Sequence, residues 1–235
     1  MKLGLYILGV AMTVGCATDS PAITTTPPGP TEAPSSEHVT KLRVVEDRLF
    51  LLGGFDSDTY EQVHDVLEQD PAINTLVFTV NPGSDDDDNT LRLGRYIRER
   101  GLHTMVTADG VIASGGVSLF LSGKTRTVEQ GAHVGVHSWT HCWSDTEDGP
   151  MQCKQAIDHP KDDPGHRLHG DYILEMLGSR DFYWFSISAA PAKQIHWMTP
   201  EELEEYGVST VASTQTPHPF GTGVEEAKLH VRGLK

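Results

Sequence analysis

The stretch TLVFTV at residues 75–80 constrains this chain more than any other. It is a continuous run of β-branched and apolar residues with no charged position. A half-exposed strand alternates apolar and polar residues. An unbroken run is buried on both faces, which requires a largely parallel sheet with helices packed against it.

The flanking sequence supplies such helices. Residues 48–52 form a short apolar strand pattern ending at Gly53-Gly54. Ser57 or Asp58 can then cap a helix carrying Tyr60, Val63 and Leu67 on one face, and Asp70-Pro71 stops it. After residues 75–80 comes a turn, Asn81-Pro82-Gly83-Ser84. The next helix holds Leu93, Tyr96 and Ile97 and ends at Gly101. Residues 104–108 read as a strand, 114–121 as a buried helix, and 125–128 and 133–137 as two further strands. Residues 138–165 are long and polar, without helical or strand period, and 166–177 can form a helix. Thr199-Pro200-Glu201-Glu202 is a specific helix start: Thr199 caps, Pro200 takes the first helical position and Glu202 completes a capping box. That helix ends at Gly207, and 208–212 read as a last strand. Repeated strand–helix units imply an α/β domain.

The chain ends add an export signal. Lys2 precedes a mostly apolar run, 3–14, which is short for a membrane span and suits a signal h-region. The run ends at Thr13-Val14-Gly15-Cys16, which resembles a bacterial lipobox with Thr13 in place of the usual leucine. On that reading 1–15 is the signal peptide and Cys16 carries the lipid anchor. Residues 16–38 are a Pro/Thr/Ser-rich tether, 39–213 the domain and 214–235 a tail. An ordinary secretory signal is the alternative. The protein is then expected on the periplasmic side of a membrane or at the cell surface. The net charge of −15 argues against a nucleic-acid partner and against charge-driven binding to an anionic membrane. Of the three cysteines, Cys142 and Cys153 remain for a disulfide in an oxidising compartment; a pair of free thiols is the alternative.

Several pieces together resemble the ClpP/crotonase superfamily, and within it a ClpP-like exported serine peptidase. Asn81-Pro82-Gly83-Ser84 resembles the family's Ser-Pro-Gly-Gly loop. Ile112-Ala113-Ser114-Gly115-Gly116 resembles its nucleophile segment, and Gly123 to Arg126 the Gly-x-x-Arg that follows. Val134-Gly135-Val136-His137 resembles the strand that delivers the catalytic histidine, and TPEELEEYG at 199–207 the closing helix. The resemblance implies a spiral of repeated β-β-α units, a peptide or protein substrate, no cofactor, and assembly into a homo-oligomer.

It also implies roles. Ser114, where a strand meets a helix N-terminus, is the nucleophile, and His137 its general base. The N–H groups of Gly115 and Ser84 form the oxyanion hole. The alternative role for Ser114 is a plain helix N-cap, and for His137 a structural strand-end histidine. The family places an Asp six residues before the proline of the closing helix; that position is Gln194 here. A Gln carbonyl can fix the histidine tautomer but cannot stabilise an imidazolium as a carboxylate does. In chymotrypsin-type triads the Asp-to-Asn exchange costs about 10⁴ in turnover. Gln194 therefore implies a slow enzyme, a different third residue such as Asp171 or Asp181, or a non-catalytic protein.

Other features have plainer readings. Asp85-Asp86-Asp87-Asp88 is expected to cap a helix N-terminus; the alternative is a site for a cationic substrate or Ca²⁺ near the mouth of the active site. His133, His137 and His141, and His166 with His169, invite a metal, but His133 and His137 on one strand lie about 13 Å apart. No third ligand joins His166 and His169, so no metal site is assigned. Phe182, Tyr183, Trp184 and Phe185 suit core or a subunit contact. Residues 138–165 suit either a lid pinned by Cys142–Cys153 or a surface loop. Three functions follow: a serine hydrolase, a catalytically impaired binding or assembly protein of the same fold, and acyl-CoA chemistry. Export and the lack of a basic patch argue against the third.

Overall fold

A computed structural model describes residues 40–146 and 149–211. The signal peptide, the Cys16 anchor, the 16–38 tether and the 214–235 tail lie outside the described residues. The main sheet has seven strands: β1 (Lys41–Val45), β2 (Arg48–Leu52), β3 (Thr75–Asn81), β4 (His103–Ala113), β5 (Arg126–Val128), β6 (His133–Val136) and β9 (His196–Trp197). Its order is β1-β2-β3-β4-β6-β9, with β5 also on β4. The centre is parallel, while β1 on β2 and β9 on β6 are antiparallel. A separate hairpin pairs β7 (Thr140–Trp143) with β8 (Gln152–Gln155). The helices are α1 (Thr59–Gln69), α2 (Asp87–Glu99), α3 (Gly115–Phe120), α4 (Pro164–Leu177), α5 (Asp181–Ala189) and α6 (Pro200–Glu205).

In β3, Leu76 through Asn81 are all buried, as the unbroken apolar run requires. Leu49, Leu51, Leu76 and Phe78 of the strands join Val63, Leu67, Leu93, Ile97 and Phe120 of α1, α2 and α3 in one core. The β1-β2-α1 unit is followed by β3-α2 and β4-α3, and the strands β5 to β8 then precede α4. Arg126 locks the last turn to this core. Its guanidinium donates to the carbonyls of Gly123, Gly207 and Val208 at 2.8–3.0 Å, and burial lowers its pKa to about 10. The predicted capping box at Thr199 and Glu202 is present in both directions.

Four expectations need correction. Asp58 stands at the N-cap position of α1, but neither its side chain nor that of Ser57 caps the helix; Asp56 Oδ1 instead accepts from the N–H of Asp58 and Thr59 and from the Thr59 hydroxyl. Strand β4 does not stop at Ala108. It runs through Asp109-Gly110, and pairing with β3 jumps from Phe78↔Val106 to Val80↔Val111. The bulge absorbs what reads as a turn signal. Residues 138–165 contain the β7–β8 hairpin and a short 3-10 helix. Residues 208–211 form no strand, only a single bridge from Thr127 to Val211. Helix α5 was not predicted as a helix because DFYWFSISA is apolar all round and shows no period.

Candidate active site

Sheet register brings three chain segments to one edge. Ala113, the last residue of β4, pairs with Gly135 of β6, and Asn81, the last of β3, pairs with Ile112. Parallel strands lie about 4.8 Å apart. The residues just past these pairs are Ser84, Ser114 and His137, so all three leave the sheet at its C-terminal edge. That edge is where ligands bind in open α/β sheets.

Ser114 has φ 53° and ψ −123°, a conformation L-residues avoid. Such backbone costs about 1–3 kcal/mol and persists only where the surroundings impose it. Here they do. Its N–H donates to Gly135 O at 3.2 Å, and its carbonyl accepts from Val117 and Ser118 of α3 at 2.9 and 3.2 Å. The hydroxyl makes no capping bond, so the plain N-cap role is not taken up. A strained strand–serine–helix turn is a geometry that holds a nucleophile's oxygen clear of its own backbone.

The turn depends on close backbone contact. A Cβ on Gly116 would lie 2.3 Å from Asn81 O, and one on Gly115 would lie 2.9 Å from Ser84 N. The 81–84 loop thus sits directly against the N-terminus of α3. Phe55 bridges Ser84: Phe55 N–H donates to Gly83 O and Asp85 N–H to Phe55 O. Those bonds use the neighbours of Ser84 and leave its own N–H on the opposite side of the loop backbone from Phe55. At the first position of α3, the N–H of Gly115 has no partner within the helix. Ser84 is not at positive φ, so serine is unstrained there. Its hydroxyl donates to Asp87.

His137 follows β6 and is half-buried. Its Nδ1 lies 2.8 Å from the carbonyl of Ser138. A carbonyl only accepts, so Nδ1 carries the proton and the neutral ring keeps its lone pair on Nε2. Ser138 is itself buried and fixed: its N–H donates to Ala190 O and its hydroxyl accepts from Ala156 N–H. Gln194 does not take part. It is exposed, its N–H donates to Pro191 O, and its side chain makes no bond to His137. Among the described residues no carboxylate bonds His137; Asp171 pairs with Arg180, and Asp181 is exposed at the start of α5. The third position of the constellation is held by a main-chain carbonyl.

Ser114, Gly115 and His137 line one cavity of about 80 Å³. Its inner wall is apolar: Leu91, Val117, Ile173, Phe182 and Ile187. No hydrogen bond joins Ser114 to His137; catalytic pairs commonly tighten only around a substrate. Asp87 and Trp139 also line the cavity, without a role of their own in the sequence. In the acidic run Asp86 is the actual cap and accepts from Asn89 N–H. His169 lies 3.6 Å from Asp87 and stacks near Trp139. Burial lowers the pKa of His169, against the pull of Asp87 and Asp88. His166 is committed to the Tyr183 hydroxyl at 2.6 Å, so it does not pair with His169 for a metal. Burial raises that tyrosine to about 12. The described residues contain one group with metal-like spacing, Glu61, His64 and Asp65 on α1, outside this cavity.

Cys142 and Cys153 form a disulfide across the β7–β8 hairpin. Residues Trp139, Thr140, His141, His159 and Asp163 from this region wall a second, open groove of about 430 Å³. It shares Asp87, Trp139 and His169 with the first cavity. The segment is thus a wall of the site.

No protein-family model and no curated protein sequence matches the chain. Solved structures do. A point mutant of ClpP1 from Listeria monocytogenes aligns over 72% of this chain and 92% of its own, with 15% identity and a TM-score of 0.50. The fold is that of the ClpP/crotonase superfamily. The ClpP protease catalytic domain from Plasmodium falciparum aligns over 74% of this chain and 90% of its own, at 15% identity and a TM-score of 0.48. A mutant of the membrane-bound stomatin-specific protease 1510-N, in complex with a substrate peptide, aligns over 71% and 73%, at 17% identity and a TM-score of 0.45. Within the ClpP/crotonase fold, the loop after β3, the turn into α3 and the end of β6 form the edge described above.

Proposed function

We propose that the chain is an exported serine hydrolase that cleaves peptide bonds. The observation that carries this is the Ser114 turn: a strained serine beside two uncommitted N–H groups, in one cavity with a histidine whose lone pair is on Nε2. In this reading Ser114 Oγ attacks the scissile carbonyl while His137 Nε2 takes its proton. The N–H groups of Ser84 and Gly115 receive the oxyanion. His137 then gives the proton to the leaving amine, and water repeats the cycle on the acyl-enzyme. The Ser138 carbonyl fixes the tautomer but offers less to an imidazolium than a carboxylate, so turnover is slow. The apolar cavity wall suits an apolar substrate side chain.

The same missing carboxylate favours a second reading, a non-catalytic binding or assembly protein. A fluorophosphonate probe separates them. Labelling of the wild-type chain that Ser114→Ala and His137→Ala both abolish supports the hydrolase. A folded wild-type chain that takes no label sinks it.

Export and anchoring rest on the 3–14 apolar run and Cys16, and the Cys142–Cys153 bridge suits an oxidising compartment. Cys16→Ala is expected to move the protein from the membrane fraction to the soluble fraction. An unchanged distribution would remove the lipid anchor from the proposal. Self-assembly is proposed too; sedimentation of the purified chain tests it.

A further inference from the structure

The groove beside the active-site cavity has a chemistry of its own. Two carboxylates, Asp87 and Asp163, line it, and no lysine or arginine does. Asp163 is three-quarters buried. One of its oxygens accepts from Gly165 N–H at 2.8 Å, capping α4, and the other lies 2.9 Å from His159 Nδ1. These contacts, the backbone one first, hold its carboxyl below the usual range, so it stays charged. Each oxygen retains a lone pair for a further donor.

His159 is the second, independent sign. Its Nδ1 donates to Asp163, and in the neutral ring that leaves Nε2 as an acceptor. That Nε2 is buried and has no hydrogen-bond partner. A buried polar atom without a partner costs free energy until a donor reaches it. The groove is therefore lined by two carboxylates and by a histidine with an unpartnered buried nitrogen, beside flat walls made by Trp139 and His169. A guanidinium, planar with five N–H donors, matches several separated acceptors; an ammonium is a compact point charge. A volume of about 430 Å³ is ample for such a side chain.

We propose that this groove is a subsite that binds an arginine side chain of the substrate, next to the cavity that holds Ser114 and His137. The assignment rests on the reading of that cavity as a peptide-binding site. Arginine enters with its guanidinium against Asp163, His159 and Asp87, while the neighbouring substrate residue occupies the apolar cavity. The subsite selects which peptide is held and leaves the chemistry to Ser114.

The test uses the full chain carrying Ser114→Ala, so that binding is read without cleavage. Ten-residue peptides matched at all positions but one carry arginine, citrulline, norleucine or glutamate there, and the varied position is moved along the peptide. Calorimetry should find one position at which arginine binds at least about tenfold tighter than citrulline, as a charge-assisted bidentate contact warrants, with glutamate weakest. Asp163→Asn keeps the α4 cap, because asparagine caps as well as aspartate. It should bring arginine to the citrulline level. Equal binding of arginine and citrulline at every position overturns the subsite, as does an arginine preference that survives Asp163→Asn. Fluorophosphonate labelling of the wild-type chain is scored separately. An arginine preference without labelling keeps the subsite and removes the hydrolase; labelling without the preference does the reverse.

Discussion

Ser114 is held by backbone on both sides, whereas His137 is held by one backbone carbonyl and by the structure beyond it. The Ser114 N–H, its carbonyl and the two glycines after it all meet main-chain atoms of β6, α3 and the 81–84 loop. Little there can shift without breaking the sheet edge. His137 instead hangs on Ser138, which depends on Ala190 just after α5 and on Ala156 just after the hairpin. A site built this way keeps the Ser114 turn fixed and leaves His137 open to adjustment. Removing a pin on the first side should abolish function, and removing one on the second should only weaken it.

The largest effect is expected from Gly116→Val. Its Cβ would meet Asn81 O, and overpacking of that kind costs about 3 kcal/mol. Fluorophosphonate labelling should vanish, and the thermal midpoint should fall by several degrees. Labelling at the wild-type rate would show that the serine turn does not need this contact. Next, Cys142→Ser with Cys153→Ser opens a loop of sequence separation 11, worth roughly 2–3 kcal/mol in unfolding. Labelling should persist at a reduced rate, because the disulfide lies on the histidine side.

Ser138→Ala removes the hydroxyl acceptor of Ala156 N–H and should cost about 1 kcal/mol by denaturant titration. It should slow labelling severalfold while leaving the probe's affinity unchanged, since only the base is loosened. The pH response of His169 is smaller. Burial lowers its folded-state pKa below the unfolded value of about 6.5. The folded chain therefore binds fewer protons there, and its stability is present at neutral pH and lost as pH falls through about 6.5 toward the folded value. Melting curves across that range should be flatter for His169→Gln than for wild type; parallel curves would remove His169 as the source. The smallest effect is expected at Gln194. Gln194→Ala and Gln194→Asp should both change labelling less than about twofold, as for an exposed residue without side-chain partners. A large gain with Asp would return this position to the triad.

Much of the scaffold was legible in the sequence because its signals are local. An unbroken apolar run gives a strand buried on both faces, and β3 is one. The spacing of Val63 and Leu67, or of Leu93 and Ile97, gives a helix face. Thr199, Pro200 and Glu202 give a capping box that needs no tertiary contact to form. The misreadings occur where the deciding partner is distant. The β7–β8 hairpin is exposed and polar, so it shows no alternation, and its two strands find each other through Cys142 and Cys153. Strand β4 crosses Asp109-Gly110 because it bulges there while its pairing with β3 resumes at Val80 and Val111. The interval before Pro200 picks out Gln194, but a residue count does not say where a loop turns, and this loop faces solvent.

The sequence by itself determined the layered α/β architecture, the small-residue turn at Ser114 and the acidic character of the chain, because hydrophobic period, glycine placement and charge are properties of neighbouring residues. Only the tertiary structure decided that Ser84, Ser114 and His137 share one edge, and that a main-chain carbonyl stands where a carboxylate was sought. It also brought His159, Asp163 and Asp87 together around one groove. Those outcomes depend on strand register and on contacts between segments far apart in the chain, which parallel pairing fixes only once the whole sheet is assembled.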